Sequence, residues 1–253
     1  MKIGLILAQY NGQDYLPKCL APWIEYRKEN DLLISCLDGR FTGSEQENGS
    51  DQSTDGSLPY LQNCYEKDYI DFLDSFAGVS EAGARNIALK HLIDNSCDLI
   101  ISIGVDEIFT SNDINNIFAF VKNNPFVFVF QVHYKNLIWD NQYIEGFCPR
   151  RIWKVKGSKC SLKGFYNDDD CQYLLNSGQT IIDTQLSTQS IPKAKAFIEH
   201  HTWNNTVRSI KKINYQNSRP GWLCSFEHKD GKIQFCKEYY RRTGQPYPTV
   251  FKM

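Results

Sequence analysis

Short apolar runs that alternate with amphipathic segments are the feature that most constrains the fold of this 253-residue chain. The apolar runs are predicted strands, which cover residues 3–7, 32–37, 70–73 and 99–103. Near-continuous apolar character is typical of strands that are buried on both faces. Helices are predicted for residues 15–26, 55–61, 80–93 and from 111 onward. Strands and helices in alternation favour an α/β fold with a doubly wound, mostly parallel sheet.

The sequence becomes richer in β-branched and aromatic residues after Asn124. A long apolar run covers residues 126–134, and further strands are predicted at 143–144 and 151–155. We expect this part to pair antiparallel with the sheet. One domain is therefore predicted over residues 1–253, with a first half at 1–124 and a more β-rich second half at 125–253.

Net charge, the length of apolar runs and the spacing of cysteines argue against several classes of protein. The net charge is −1, which gives no electrostatic reason to expect a nucleic-acid partner. No apolar run approaches the roughly 20 residues of a transmembrane helix, and the N-terminus is too short for a signal peptide. The nine cysteines form no Cys-x-x-Cys pair. We therefore expect a cytoplasmic protein with reduced thiols, and we expect basic pairs such as Arg150-Arg151 to be solvated.

Polar side chains follow three of the predicted strands. Tyr10 and Asn11 come after the first strand, Asp38 after the second, and Asp106 and Glu107 after the fourth. The carboxyl ends of parallel strands converge on one edge of a sheet, where ligands bind. An aromatic ring can pack on a nucleobase, and adjacent acids can hold a hard cation through oxygen. A cation held there can carry the phosphates of a nucleotide.

Four motifs occur in the order found in a known family. They are Ile6–Asn11, Asp38-Gly39 with the later Ser53–Ser57, Ala84–Asn86 and Val105–Glu107. In these motifs, over about the first 110 residues, the chain resembles the family 2 glycosyltransferases with the GT-A fold. Beyond that point the match is thin.

The resemblance implies roles for several residues. Tyr10 and Asp38 would contact the nucleotide base, and Arg85 would lie close to the base or the diphosphate. Asp106 would be the metal-coordinating acid of the Asp-x-Asp signature, with Mn²⁺ or Mg²⁺ as the cofactor. One of His200 and His201 would be a late ligand of the metal or the diphosphate.

The reaction that the resemblance implies is transfer of a sugar from a nucleoside-diphosphate sugar, with UDP as the expected nucleotide. The acceptor would be a glycan or another hydroxyl compound, and the anomeric carbon would be inverted. Residues 1–124 would bind the donor and residues 125–253 the acceptor. An inverting enzyme needs a carboxylate base for the acceptor hydroxyl. We favour Asp168 or Asp169 over Glu145 for this role.

The chain departs from the family pattern in two places. Gly104 stands where the first Asp of Asp-x-Asp is expected, and the polar segment 40–52 separates Asp38-Gly39 from Ser53–Ser57. A degenerate transferase that only binds nucleotide-sugar or glycan is therefore an alternative. A nucleotidyltransferase is a weaker one, because the segment Gln9–Gln13 lacks the lysine of a glycine-rich phosphate loop.

Purely structural roles compete with each functional one. Tyr10 alone suits a core aromatic, Asp38-Gly39 a turn, and Asp106 the cap of the following helix. Arg85 could pair with an acid on its own helix. The run at residues 168–170 could be a solvated acidic loop. The shared sheet edge and the order of the motifs favour the functional interpretation.

Overall fold

The computed structural model describes residues 1–42, 49–139, 141–145, 148–155, 159–165, 168–174, 180–182, 186–201, 203, 206–218 and 223–252. The chain divides into two compact units. The first consists of residues 1–133 and 148–198, and the second of residues 134–147 and 199–253. The predicted functional halves, 1–124 and 125–253, stay predictions about donor and acceptor binding.

The elements follow one another along the chain from the N-terminus. The first half carries β1 (Ile3–Gln9), α1 (Leu16–Arg27), β2 (Leu32–Phe41), α2 (Ser57–Glu66), β3 (Phe72–Val79), α3 (Glu81–Asp94), β4 (Leu99–Ile103), β5 (Glu107–Ile108) and α4 (Ser111–Asn123). Strands then dominate: β6 (Val129–Gln131), β7 (Tyr134–Leu137), β8 (Gln142–Ile144), β9 (Arg150–Lys154), β10 (Lys159–Phe165), β11 (Asp168–Leu174), β12 (Thr180–Ile182), β13 (Thr188–Ser190) and β14 (Ile198–His200). The chain ends with α5 (Thr206–Ser218), β15 (Phe226–Lys229), β16 (Lys232–Phe235), α6 (Lys237–Thr243) and β17 (Val250–Lys252).

A seven-stranded sheet with the order β13-β6-β9-β4-β1-β2-β3 forms the centre of the first unit. The β1–β2, β1–β4, β2–β3 and β6–β13 pairs are parallel. Strand β9 runs antiparallel to β4 and β6, as expected for the later part of the sequence. The predicted mixed α/β fold with a mostly parallel central sheet is confirmed.

Strand β1 is buried along its whole length, which accounts for its unbroken apolar sequence. On one face Ile6 joins a core cluster with Ala84, Ala88 and Leu92 of α3. Gly4 lets α3 approach closely, because a Cβ there would lie 2.7 Å from a methyl group of Leu92. A separate aromatic contact joins α1 to α4, where Trp23 and Phe118 meet edge to face at 6.4 Å.

Local rules predict most of the first-half elements, and the exceptions have physical causes. Helix α1 continues through Pro22, although proline removes one helical hydrogen bond; four buried side chains anchor it: Leu16, Cys19, Leu20 and Trp23. Helix α2 begins at Ser57, directly after Gly56, rather than at the predicted residue 55. Gly56 has a φ of 100°, which is accessible to glycine.

Two segments of the later sequence have structures that their sequence patterns do not specify. The apolar run at 126–134 contains β6 (Val129–Gln131) and the first residue of β7. The acidic run at 168–170 is not a loop, since it opens β11, which pairs antiparallel with β10 and brings Asp168 opposite Phe165. Strand β12 completes this three-stranded sheet.

The second unit has a small aromatic core of its own. Trp203 packs against Phe226 at 4.2 Å between ring centroids, and Trp139 packs edge to face on Phe226 and Phe235. Phe226 and Phe235 belong to β15 and β16, which pair as an antiparallel hairpin. None of the helices within the described residues has the length and apolar content needed to cross a bilayer.

Candidate functional site

The carboxyl ends of β1, β2 and β4 meet at one edge of the central sheet. Gln9 lies in register with Asp38, and β4 flanks β1 on its other side. The loop after β1 also reaches the turn after β4, because a Cβ added at Gly12 would lie 2.7 Å from a γ-methyl of Val105. The structure therefore brings together the strand ends that the sequence predicts as a ligand site.

A buried hydrogen-bond network ties these strand ends to the segment that precedes α2. The Gln9 side-chain amide donates to the Asp38 carboxylate and to Ser53 Oγ, the latter at 3.4 Å. The Ser53 N–H donates to Asp38 Oδ2 at 3.0 Å, and Gln9 Oε1 accepts the Gly12 N–H at 3.0 Å. The two motifs that the sequence separates, at Asp38 and Ser53, are thus joined in space.

Asn11, which follows β1, also forms hydrogen bonds to the segment that precedes α2. Its φ of 49° is left-handed, a conformation that asparagine tolerates better than most residues. Its N–H donates to Ser53 Oγ at 2.8 Å, and its Oδ1 accepts the Thr54 N–H at 2.9 Å. Two residues further on, the Gln13 N–H donates to Asp55 Oδ2 at 2.9 Å.

The carboxylate of Asp38 is inside this network. Asp38 is 0% exposed. Its Oδ1 accepts a hydrogen bond from the Gln9 amide, and its Oδ2 accepts one from the Ser53 N–H. Burial raises the pKa of Asp38, and the bonds from Ser53 oppose that rise in part. Asp38 therefore holds the end of β2 to Gln9 of β1 and to Ser53. A direct contact between Asp38 and a nucleobase stays a prediction.

Tyr10 lies at the rim of the same edge. It is half-buried, which distinguishes it from a core aromatic, and its hydroxyl donates to the Ser50 carbonyl at 2.6 Å. The phenol is thus fixed beside the network, and the ring has a partly exposed surface on which a planar base can pack. Residues 43–48, in the polar loop between the two motifs, lie outside the described residues.

The turn after β4 carries the two acids. The Glu107 N–H donates to the Gly104 carbonyl at 3.1 Å and closes the turn. A Cβ at Gly104 would lie 3.1 Å from Asp106 Oδ1 and 3.2 Å from Glu107 Oε1. Both carboxylates therefore border the space that a side chain at position 104 would occupy. The glycine that breaks the family pattern leaves room for this arrangement, in which a larger residue would force a carboxylate to move.

Asp106 and Glu107 have different surroundings. Glu107 is buried and makes a two-pronged ion pair with buried Arg151, with N–O distances of 2.9 and 2.8 Å. Asp106 is half-buried. It does not cap the next helix, because Thr110 and Asp113 form a complete capping box there. Asp106 is thus the better candidate for a metal ligand, and the same role for Glu107 stays a prediction that its pairing with Arg151 weakens.

Arg85 is buried in the second turn of α3. Its Nη2 donates to Glu81 Oε1, one helical turn earlier, at 2.6 Å. This is the structural alternative considered for Arg85, a pairing with an acid on its own helix. The residue is only 4% exposed, and its proximity to a base or diphosphate stays a prediction.

His200 and His201 belong to the second unit. The His200 ring stacks on Tyr134 at 4.7 Å between centroids, and its Nδ1 lies 2.7 Å from Asn136 Oδ1. His201 Nε2 lies 3.6 Å from Glu199 Oε2, and the nearby imidazole lowers the pKa of Glu199. Their assignment as ligands of a metal or diphosphate stays a prediction.

The candidate bases lie in different parts of the chain. Asp168 and Asp169 open β11, where Asp169 is opposite Gly164, and the environment of their side chains lies outside the described residues. Glu145 directly follows β8 in the second unit and is half-buried. The choice among the three stays a prediction.

The donor groups at this edge suit a cation that is shared with a ligand. Among the described residues, no three His, Cys, Asp or Glu side chains gather into a metal-binding group. Mg²⁺ typically takes one or two protein carboxylates and completes its shell with water and substrate phosphates. A single carboxylate at Asp106 fits that mode of binding for Mg²⁺ or Mn²⁺.

Three important residues were missed in the sequence. The expectation that Arg150-Arg151 is solvated is wrong for Arg151, which is 4% exposed. An arginine within the predicted strand 151–155 was a usable signal, because a buried charge needs a partner. Gln9 and Ser53 lie within two of the motifs that carry the resemblance, but neutral polar residues at strand ends are common in solvated loops, and no role was predicted for either.

Comparison with known proteins gives partial likenesses in structure. No family model and no curated protein matches the chain. It is similar to residues 1–349 of TarS from S. aureus in complex with UDP-GlcNAc, at 17% identity over 54% of this chain, with a TM-score of 0.42. It is also similar to the mannosyltransferase PcManGT from Pyrobaculum calidifontis in complex with GDP-Man and Mn²⁺, at 17% identity over 52% of this chain, with a TM-score of 0.40.

The matched region is a fraction of each of those proteins, because the chain covers 35% of either one. At this identity and TM-score, the functional argument depends on the residues of the chain itself.

Proposed function

We propose that this protein is a glycosyltransferase of the GT-A type that transfers a sugar from a nucleoside-diphosphate sugar to an acceptor hydroxyl. One observation carries the proposal. The segments that contain Asn11, Asp38, Ser53 and Asp106 are far apart in sequence and meet at the carboxyl edge of a parallel sheet, where α/β proteins bind nucleotides.

The nucleoside of the donor is assigned to the side of β1 and β2. Tyr10 is half-buried beside the Gln9–Ser53 network, and we propose that its ring packs on the base. Asn11 and Asp38 keep the surrounding segments in place, and Arg85 is a candidate for a contact near the diphosphate. We propose uridine as the base, on the family resemblance alone.

The diphosphate is assigned to the turn after β4. Asp106 would hold Mn²⁺ or Mg²⁺ together with oxygens of the diphosphate, and His200 or His201 would be a late ligand. Such a cation neutralises charge that develops on the departing diphosphate. The protein's own contribution at this point is a carboxylate fixed in a short turn, which orients the leaving group.

The acceptor hydroxyl needs a base on the side opposite the leaving diphosphate, if the anomeric carbon is inverted. Asp168 and Asp169 are the preferred candidates and Glu145 is the alternative. The carboxylate would accept the proton of the hydroxyl as its oxygen attacks the anomeric carbon and the bond to the diphosphate breaks. The positioning of both reactants would supply much of the acceleration.

A second function, binding of a nucleotide-sugar without transfer, is favoured by Gly104. The first acid of Asp-x-Asp is missing there, and the space above the glycine is filled by Asp106 and Glu107. A protein that lost the contact from this first acid could retain the donor and lose the reaction.

The release of nucleoside diphosphate distinguishes the two functions. The full chain is incubated with UDP-GlcNAc and, in parallel, with GDP-mannose, each with Mn²⁺ and with EDTA. We expect slow release of the diphosphate by hydrolysis in Mn²⁺ only, because water can replace an absent acceptor. Asp106→Asn should abolish this release.

The matched control is Asp94→Asn, which removes an exposed carboxylate from the far end of α3. It should hydrolyse the donor like the wild type. Donor binding without release, with either nucleotide-sugar, would favour the binding protein over the enzyme. Neither binding nor release would contradict both functions.

A further inference from the structure

We propose that Arg151 is a positioning residue, which fixes the metal-binding turn through Glu107 and makes Glu107 part of the support of Asp106. The inference rests on the proposed function and assigns two residues of the same site. The two adjacent acids then have different roles: Asp106 would bind the cation, and Glu107 would hold the turn in place.

The geometry of the ion pair carries the first step. Arg151 Nε donates to Glu107 Oε2 at 2.9 Å, and Nη2 donates to Oε1 at 2.8 Å. Two parallel bonds between a planar guanidinium and a carboxylate fix direction as well as distance. Both side chains are about 5% exposed, so the pair is shielded from water and each charge depends on the other.

The second step is the place of Arg151 in the sheet. Strand β9 pairs antiparallel with β4, and Ile152 lies opposite Ile101. Arg151 precedes Ile152 in β9. Because the two strands are antiparallel, Arg151 lies beside the carboxyl end of β4. A side chain anchored in the central sheet thus reaches the turn that follows the neighbouring strand.

The third step is the compactness of the turn. Glu107 is tied to Gly104 by its backbone, and the Cys19 thiol donates to the Glu107 carbonyl from α1 at 3.5 Å. Glu107 Oε1 and Asp106 Oδ1 both approach the point above Gly104. A displaced Glu107 carboxylate would therefore displace Asp106. Arg151 also cancels the charge of Glu107, and this leaves the charge of Asp106 to attract the cation.

The test compares Arg151→Lys with Arg27→Lys. Lysine keeps the positive charge and loses the two-pronged geometry. Arg27 is a matched control, because it pairs with Asp71 at 2.6 Å near the amino end of β2, away from the candidate site. UDP, and GDP in parallel, are titrated calorimetrically into each full-length protein with Mn²⁺ and with EDTA, and melting temperatures are recorded.

We expect Arg151→Lys to reduce the Mn²⁺-dependent gain in nucleotide affinity by about 10-fold or more, the size typical of lost second-sphere partners. Affinity in EDTA should remain that of the wild type. Arg27→Lys should lower the melting temperature and leave both affinities unchanged. A purely structural Arg151 would lower the melting temperature without changing the Mn²⁺-dependent gain, and that result would overturn the inference.

A second variant covers a failure of Arg151→Lys to fold. The double substitution Glu107→Gln with Arg151→Met removes both charges and keeps the approximate volume, a change that buried pairs often tolerate. It should also lose the Mn²⁺-dependent gain, and wild-type behaviour would contradict a positioning role. If the wild-type protein binds neither nucleotide in Mn²⁺, the proposed function itself is wrong and this inference is wrong with it.

Discussion

At the scale of single residues, the two carboxylates Asp38 and Asp106 illustrate different uses of an acid. Asp38 is enclosed and accepts hydrogen bonds from Gln9 and Ser53, whereas Asp106 is half-buried in a short turn. A resemblance in sequence assigns both to ligand binding. The environment distinguishes them, because a buried carboxylate with both oxygens engaged stabilises the segments around it.

Asp38 provides a prediction with a defined sign. Burial raises its pKa in the folded protein above the ordinary value of 3.8, so the folded state binds the proton more tightly than the unfolded state. The stability that Asp38 contributes is therefore present below about pH 4 and declines as the pH rises through the folded pKa. Asp38→Asn removes this decline.

Urea denaturation of the wild type and of Asp38→Asn at pH 3.5 and pH 7 checks the sign. An asparagine at this position has one acceptor oxygen in place of two, so the test compares the change in stability between the two pH values and not the absolute difference. We expect the free energy of unfolding of the wild type, relative to the variant, to be lower at pH 7. Asp74→Asn on β3 controls for the change in net charge. A relative stability that increases toward pH 7 would show that the folded carboxylate is favoured in its charged form.

At the scale of elements, the edge of the sheet depends on close approach of the strands. Gly39 lies inside β2, which runs on to Phe41, and the alternative of a turn at Asp38-Gly39 is wrong. A Cβ at Gly39 would lie 1.9 Å from the Phe76 carbonyl oxygen of β3. The glycine therefore allows β2 and β3 to pair directly after Asp38.

Gly39→Ala tests this approach. The nearest atom is a backbone oxygen, which cannot move without separating the strands, so we expect a loss of about 2–4 kcal/mol in the free energy of unfolding. The control is Gly83→Ala in α3, whose Cβ would have its nearest contact at 3.2 Å. It should change stability by less than about 1 kcal/mol. Equal effects of the two substitutions in denaturant titrations would show that β3 can shift to accept a methyl group.

Periodicity and capping predict elements well where the signals are local. The Ser80 cap of α3, the start of α4 and the bounds of β4 agree with the sequence prediction. The extension of β2, the joining of Asp38 to Ser53, and the pair of Glu107 with Arg151 depend on contacts between distant segments. Such contacts leave no periodic pattern in the sequence, and only the arrangement of the strands determines them.

At the scale of the whole molecule, the candidate donor site lies within the first unit. The central sheet, the network around Ser53 and the turn at Asp106 all belong to it. His200, His201 and Glu145 belong to the second unit, and their proposed roles in metal binding and acceptor activation remain predictions. The central proposal, that a divalent cation at Asp106 would carry the diphosphate, therefore concerns residues of the first unit.

Calorimetric titration of UDP into the wild-type protein, with Mn²⁺ and then with EDTA, tests this claim most directly. We expect Mn²⁺ to strengthen UDP binding at least about 10-fold, because a cation held by Asp106 would neutralise charge on the diphosphate. Asp106→Asn should bind UDP with the weak affinity that the wild type has in EDTA, and the exposed control Asp94→Asn should behave like the wild type. Equal affinity of the wild-type protein for UDP in Mn²⁺ and in EDTA would contradict a metal-bridged diphosphate at this edge of the sheet.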